Sequence, residues 1–111
     1  MSSPAKHFGF VRMAVCAPEL RVADVAFNTE RILDAAERAE ALGADVLVLP
    51  ELCITGYSCG DLLYQKLLLD EAKKALLHIA ETTYEKKLDV ALIVGLPMAL
   101  DGKNFNCAAF I

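Results

Sequence analysis

A chain of 111 residues, 56% of them hydrophobic and with a formal net charge of −4, makes one domain at most and is long enough to bury a core of its own. The acidic balance excludes a phosphate-backbone binder, which would cluster Lys and Arg on one face, so nucleic acid is not an expected partner. Lys6 and Arg12 interrupt any secretory apolar stretch, and the longest apolar run, residues 90–100, carries Gly95 and Pro97 and falls short of the roughly 18 to 20 residues that cross a bilayer. A cytoplasmic chain without membrane contact is expected.

The apolar fraction, 56% before glycine is counted, exceeds the roughly 45 to 50% of an average soluble domain. An oligomer, a larger chain of which this is a part, or alanine-rich helices would each account for the excess; the larger chain is favoured.

Residues 10–16 read as a first strand, introduced by Gly9, and Pro18 opens a loop running to Asn28, with room for an early helical turn. A helix follows. Val25, Ile32, Ala36 and Ala39 fall on one face, Glu30, Arg31, Asp34, Glu37 and Arg38 take the other, and Gly43 is placed to terminate it. Residues 46–49 form a second strand, apolar on both faces as a covered parallel strand should be, and Pro50, which cannot donate to a ladder, ends it.

Glu51 comes next, at the carboxyl end of that strand. Ligands collect at this end of open α/β sheets, and the segment from Thr55 to Asp61 is rich in loop-forming residues, so Glu51 is the first candidate for chemistry. Capping or loop anchoring is its alternative role. Tyr57, close by, either lines a ligand pocket or packs the loop on the helix below. Asp61 is the expected N-cap of a second helix that runs toward Tyr84, with a break near Lys66 and a buried stripe of Leu68, Ala72, Leu76 and Ile79. Residues 90–94 make a third strand. Asp101 and Gly102 mark a tight turn into a fourth, residues 105–111, so these two strands are expected to pair as a hairpin. The sequence stops at Ile111 inside apparent strand, from which a fragment of a longer protein is expected.

Cys16, Cys53, Cys59 and Cys107 show no paired spacing and no histidine at ligand distance, so no metal site is expected. Reduced thiols acting as small hydrophobes are the default. Cys53 and Cys59 flank the turn after Glu51, but neither has a base or cation adjacent in sequence to ionise it. His78 reads as a partly buried helical histidine, His7 as exposed, Lys103 as a solvated turn charge, and Asn104 and Asn106 as groups that satisfy turn backbone.

The order of these features resembles the nitrilase, or carbon-nitrogen hydrolase, superfamily over essentially the whole chain: Leu42, Gly43, Ala44 and Asp45 before the second strand, then Pro50, Glu51 and Leu52, then Gly56 and Tyr57. The stretch from Pro50 to Leu62 is similar to the glutaminase domain of glutamine-dependent NAD synthetases. Gly95, Leu96 and Pro97, and the run from Asp101 to Ala108, agree with the family's hairpin. The resemblance implies an α/β fold, mostly β-α-β-α-β-β, forming part of a four-layer α-β-β-α sandwich whose second sheet would cover an apolar face left open here. It further implies a Glu-Lys-Cys triad with Glu51 as general base, its lysine and cysteine partners lying beyond Ile111. Residues 1–111 would then be the N-terminal part of a single glutaminase domain, inactive alone. Glutamine and the remainder of the same enzyme, in a homo-oligomer, would be its partners; no cofactor is expected in this stretch, and ATP and magnesium would serve a synthetase domain absent from it. A free-standing nitrilase-type amidase and a non-catalytic α/β interaction module remain the alternatives.

Overall fold

A computed structural model describes residues 9–56 and 65–111. Along the chain run β1 (Met13–Val15), α1 (Val25–Ala41), β2 (Val46–Val48), α2 (Lys66–Glu85), β3 (Ala91–Leu100) and β4 (Lys103–Phe110), the β-α-β-α-β-β order expected. The strands form one sheet in the order β1-β2-β3-β4, parallel from β1 to β3 and antiparallel between β3 and β4. Parallel neighbours need a crossover between them, and α1 and α2 supply the two crossovers.

The loop expected to reach residue 28 ends at Asp24, whose side chain accepts a 3.1 Å hydrogen bond from the Phe27 backbone N–H and caps α1. Val25, Ile32, Ala36 and Ala39 are buried as expected, and Asn28 and Thr29 join them. Gly43 follows the helix with φ +74°, the left-handed conformation that ends helices and that glycine adopts without strain. The second helix begins at Lys66 after Gln65, which makes no side-chain cap; the cap expected at Asp61 lies outside the described residues. Leu68, Ala72 and Ile79 are buried and Leu76 is half-buried against the same core. Glu40 on α1 accepts hydrogen bonds from the backbone N–H of Asp89 (3.0 Å) and Val90 (2.8 Å), and so ties the end of that helix to the start of β3. No described helix is long and apolar enough to cross a membrane.

Two strands differ from expectation by more than two residues at an end. β1 pairs only over Met13–Val15, opposite the three residues of β2. β3 extends through Gly95 and Pro97 to Leu100, well past residue 94. Proline is tolerated there because Leu92 and Ile111 exchange both backbone hydrogen bonds at 2.9 Å, and hydrogen-bonded and non-hydrogen-bonded pairs alternate along an antiparallel ladder. Pro97, opposite Asn106, therefore falls on a pair that needs no N–H from it. Leu100 pairs with Lys103 across a two-residue turn in which Asp101 (φ +51°) and Gly102 (φ +75°) are both left-handed, the signature of a type I′ hairpin.

Side chains alternate across this sheet. Leu47, Leu92, Val94 and Leu96 face the helices and are fully or almost fully buried. Met13, Val15, Val46, Val48, Ile93 and Phe110 share the opposite face through their strand register, and there Val15 is 83% and Phe110 72% exposed.

Candidate active site

Beyond β2 the chain stays attached to β3 for one more residue, the Leu49 N–H donating to the Ile93 carbonyl at 3.1 Å. Residues 51–55 then make a compact turn closed by the N–H groups of Thr55 (3.2 Å) and Gly56 (2.8 Å), both donating to the Leu52 carbonyl. Leu52, Cys53, Ile54 and Thr55 are buried, while Glu51 is exposed. Leu52 holds φ +52°, a conformation that costs an L-residue with a bulky side chain roughly 1–2 kcal/mol; its buried side chain keeps the chain there. Strain of this kind collects at functional sites.

Gly95 is what lets the turn lie on the sheet. A β-carbon at this position would stand 2.8 Å from the Pro50 carbonyl oxygen and 3.1 Å from the Glu51 carbonyl carbon. The Gly95 carbonyl, directed away from β4, accepts from the Ile54 N–H at 3.2 Å and from the Cys53 thiol at 3.6 Å. On the other side Asn28, fully buried, donates from Nδ2 to the carbonyls of Ile54 (2.9 Å) and Arg21 (2.8 Å) and accepts the Arg21 N–H at Oδ1 (2.7 Å). The Ala23 N–H donates to the Thr55 carbonyl at 2.7 Å. The turn that carries Glu51 is thus held from β3 and from the loop that leads into α1.

Asn106 reaches the carboxylate itself: its side-chain amide on β4 donates to Glu51 Oε1. This corrects the expectation that Asn106 serves turn backbone. Sequence reading missed Asn106, Gly95 and Asn28 as site residues. A glycine within an apolar strand is the one signal that was available, since it marks a bulge or a close backbone approach.

Cys53 is fully buried, and burial pushes its thiol from the ordinary 9.0 up to about 11, so it is a neutral packing group and not a nucleophile. Cys16 and Cys107 are half-buried free thiols. Tyr57 and Cys59 lie outside the described residues. His78 is exposed, where partial burial was expected, and with Thr29, Glu71 and Lys74 it lines a groove of about 420 Å³ between α1 and α2, on residues distinct from the Glu51 turn. Lys103 is an exposed charge at the start of β4. Among the described residues no cluster of three His, Cys, Asp or Glu side chains could hold a metal ion.

What the arrangement offers is an exposed carboxylate on a turn fastened at the carboxyl ends of parallel strands, with one oxygen held by an amide. A family model described as carbon-nitrogen hydrolase matches residues 12–111. The glutamine-dependent NAD(+) synthetase of Mycobacterium tuberculosis is 37% identical over 107 residues, 96% of this chain and 16% of that protein. The crystal structure of a glutamine-dependent NAD(+) synthetase from Cytophaga hutchinsonii aligns with a TM-score of 0.83 at 34% identity, over 91% of this chain and 17% of that one. An amidase from Nesterenkonia sp. aligns with a TM-score of 0.69 at 28% identity, over 90% of this chain and 37% of the other. The chain spans about 16% of the length of the Mycobacterium relatives it matches.

Proposed function

Because the chain belongs to the carbon-nitrogen hydrolase family, we propose that it forms the opening part of the glutaminase domain of a glutamine-dependent NAD synthetase and that Glu51 is the general base of that domain. The observation that carries the chemical role is the presentation of Glu51, an exposed carboxylate on a buried, strained turn fastened to β3 at Gly95. The synthetases from Mycobacterium and Cytophaga, similar over more than nine-tenths of this chain, support the substrate.

In this reading a cysteine thiol supplied by the rest of the enzyme attacks the carboxamide carbon of glutamine. Glu51 takes the thiol proton, delivers it to the departing ammonia, and then activates water against the thioester to release glutamate. A lysine ammonium, also from outside residues 1–111, stabilises the developing oxyanion. The open apolar face of the sheet, with Val15 and Phe110, would meet a second sheet and complete the four-layer α-β-β-α sandwich. Tyr57 follows Glu51 closely enough in sequence to line the amide pocket.

Ammonia would pass to a synthetase domain that amidates nicotinic acid adenine dinucleotide in a cytoplasmic homo-oligomer. The ATP and magnesium for that step belong to the synthetase domain; the residues described here do not suit a metal, and no step at Glu51 runs through either. A second reading, a free-standing amidase acting on a small amide, draws on the likeness to the Nesterenkonia amidase. The open apolar face would equally serve a non-catalytic interaction module.

Ammonia release from glutamine by the full-length protein, beside its Glu51→Gln variant, tests these readings. Loss of about two or more decades of rate in the variant supports Glu51 as base. Hydrolysis of other amides with glutamine spared selects the amidase, and an unimpaired variant returns Glu51 to a structural role.

A further inference from the structure

Asn106 sits where strand propensity does not explain it. Asparagine is depleted in strands, yet this one lies inside β4, opposite Pro97, with Phe105 and Cys107 on either side. Its pair with Pro97 is non-hydrogen-bonded, the kind in which facing side chains stand closest. Two residues further on the same face, Ala108 lies opposite Gly95, whose missing side chain leaves room for the backbone of Pro50, Glu51 and Leu52. The turn therefore crosses the sheet beside Asn106, and the amide donates to Glu51 Oε1. An amide donor against a carboxylate is a charge-assisted hydrogen bond, stronger and more directional than a neutral one. Among the described residues, Asn106 is the group that reaches the end of this otherwise exposed side chain.

We infer that Asn106 is the positioning residue for Glu51: by occupying Oε1 it fixes the carboxylate plane and leaves Oε2 as the atom that takes the proton. This rests on Glu51 being the general base. In the proton transfer the S–H bond of the attacking thiol breaks, its electron pair stays on sulfur for attack on the amide carbon, and the proton forms the O–H bond at Oε2. A glutamate whose side chain is exposed samples several rotamers; one held at Oε1 presents the second oxygen in one place. Misplacement of a reacting group by about 1 Å can lower a rate about 100-fold, so holding the carboxylate acts on kcat and leaves glutamine binding alone.

The test is steady-state glutamine hydrolysis by the full-length protein carrying Asn106→Leu, Glu51→Asp or both, with melting temperatures recorded. Asn106→Leu is expected to lower kcat about 10- to 100-fold with KM within about twofold of the parent, and Asn106→Ser, too short to reach Glu51, to do the same at an unchanged melting temperature. Since Asn106 acts through Glu51, the double variant should lose no more than the worse single one. An undiminished kcat in both Asn106 variants, a rise in KM alone, or losses that multiply in the double variant overturn the inference. If the Leu variant does not fold, the Ser variant decides by the same criteria. Glu51→Gln separates the two readings: loss there with Asn106 variants at full rate removes only the role of Asn106, whereas full activity of Glu51→Gln removes the general base itself.

Discussion

A β-carbon on Gly95 would lie 2.5 Å from the backbone nitrogen of Leu52, so strand and turn meet at this point backbone to backbone. Even alanine must displace one of them, and neither contact is the yielding tip of a side chain. Gly95→Ala in the full-length protein is expected to cost about 1–3 kcal/mol, the range for overpacking, and to lower amide hydrolysis by more than the stability loss explains, because the turn it displaces carries Glu51. A thermal melt and a rate measured well below the melting temperature check both parts. A variant with parental rate and stability would mean that the turn has freedom to rise.

Asn28 makes its three hydrogen bonds to backbone at 2.7 to 2.9 Å while fully buried. Truncation to alanine removes the side-chain partner of the Arg21 N–H and of the Ile54 carbonyl, while the Arg21 carbonyl keeps the Asp24 N–H at 3.2 Å. The expected loss is about 1–3 kcal/mol, read as a lowered melting temperature, with Asn28→Leu no better because it restores volume without partners. A melt unchanged in both variants would show that water takes over these groups.

Cys53 should be silent to thiol reagents at pH 8 in the native protein and labelled once the protein is unfolded, as mass spectrometry after alkylation would record. Its thiol is raised by burial from 9.0 to about 11, so the folded state holds the proton more tightly than the unfolded chain. The stability linked to Cys53 is fully present below pH 9 and is lost as pH rises through 11, by about 3 kcal/mol at most. Cys53→Ala should flatten that part of the pH–stability curve, and labelling of native Cys53 would contradict its burial.

Residues 1–111 by themselves are expected to self-associate. Met13, Val15, Ile93 and Phe110 form a contiguous apolar face with Val15 and Phe110 mostly exposed, and such faces on a small domain mark an interface. Sedimentation velocity of the isolated chain gives the answer, a single monomeric species with a cooperative melt being the contrary result.

The sequence made some of this architecture plain for reasons that are local. The stripe of Ile32, Ala36 and Ala39, the stop at Gly43 and the turn at Asp101 and Gly102 are each set by residues within one element, and each is found where its periodicity or left-handed backbone requires. The position of Glu51 just past a strand was legible because Pro50 ends an apolar run before it. The length of β3 was not: Pro97 argues against a strand until the pairing phase with β4 shows that its nitrogen is not needed. Asn28, Gly95 and Asn106 escaped for a shared reason. The contacts that tie them to the Glu51 turn span 26, 42 and 55 positions along the chain, and no local pattern encodes a contact between elements so far apart in sequence.

The left-handed pair Asp101 and Gly102 has a consequence well away from its own corner. Counting outward from that corner, Leu100 with Lys103, Ala99 with Asn104 and Met98 with Phe105 precede Pro97 with Asn106. The corner is therefore a length standard. An inserted or deleted residue whose offset propagates along β4 would reverse its faces, turning Asn106 to the helices and offering Glu51 the side chain of Phe105 or Cys107 instead. Diverging copies of this sequence should accordingly change the letters of the hairpin tip far more readily than their number.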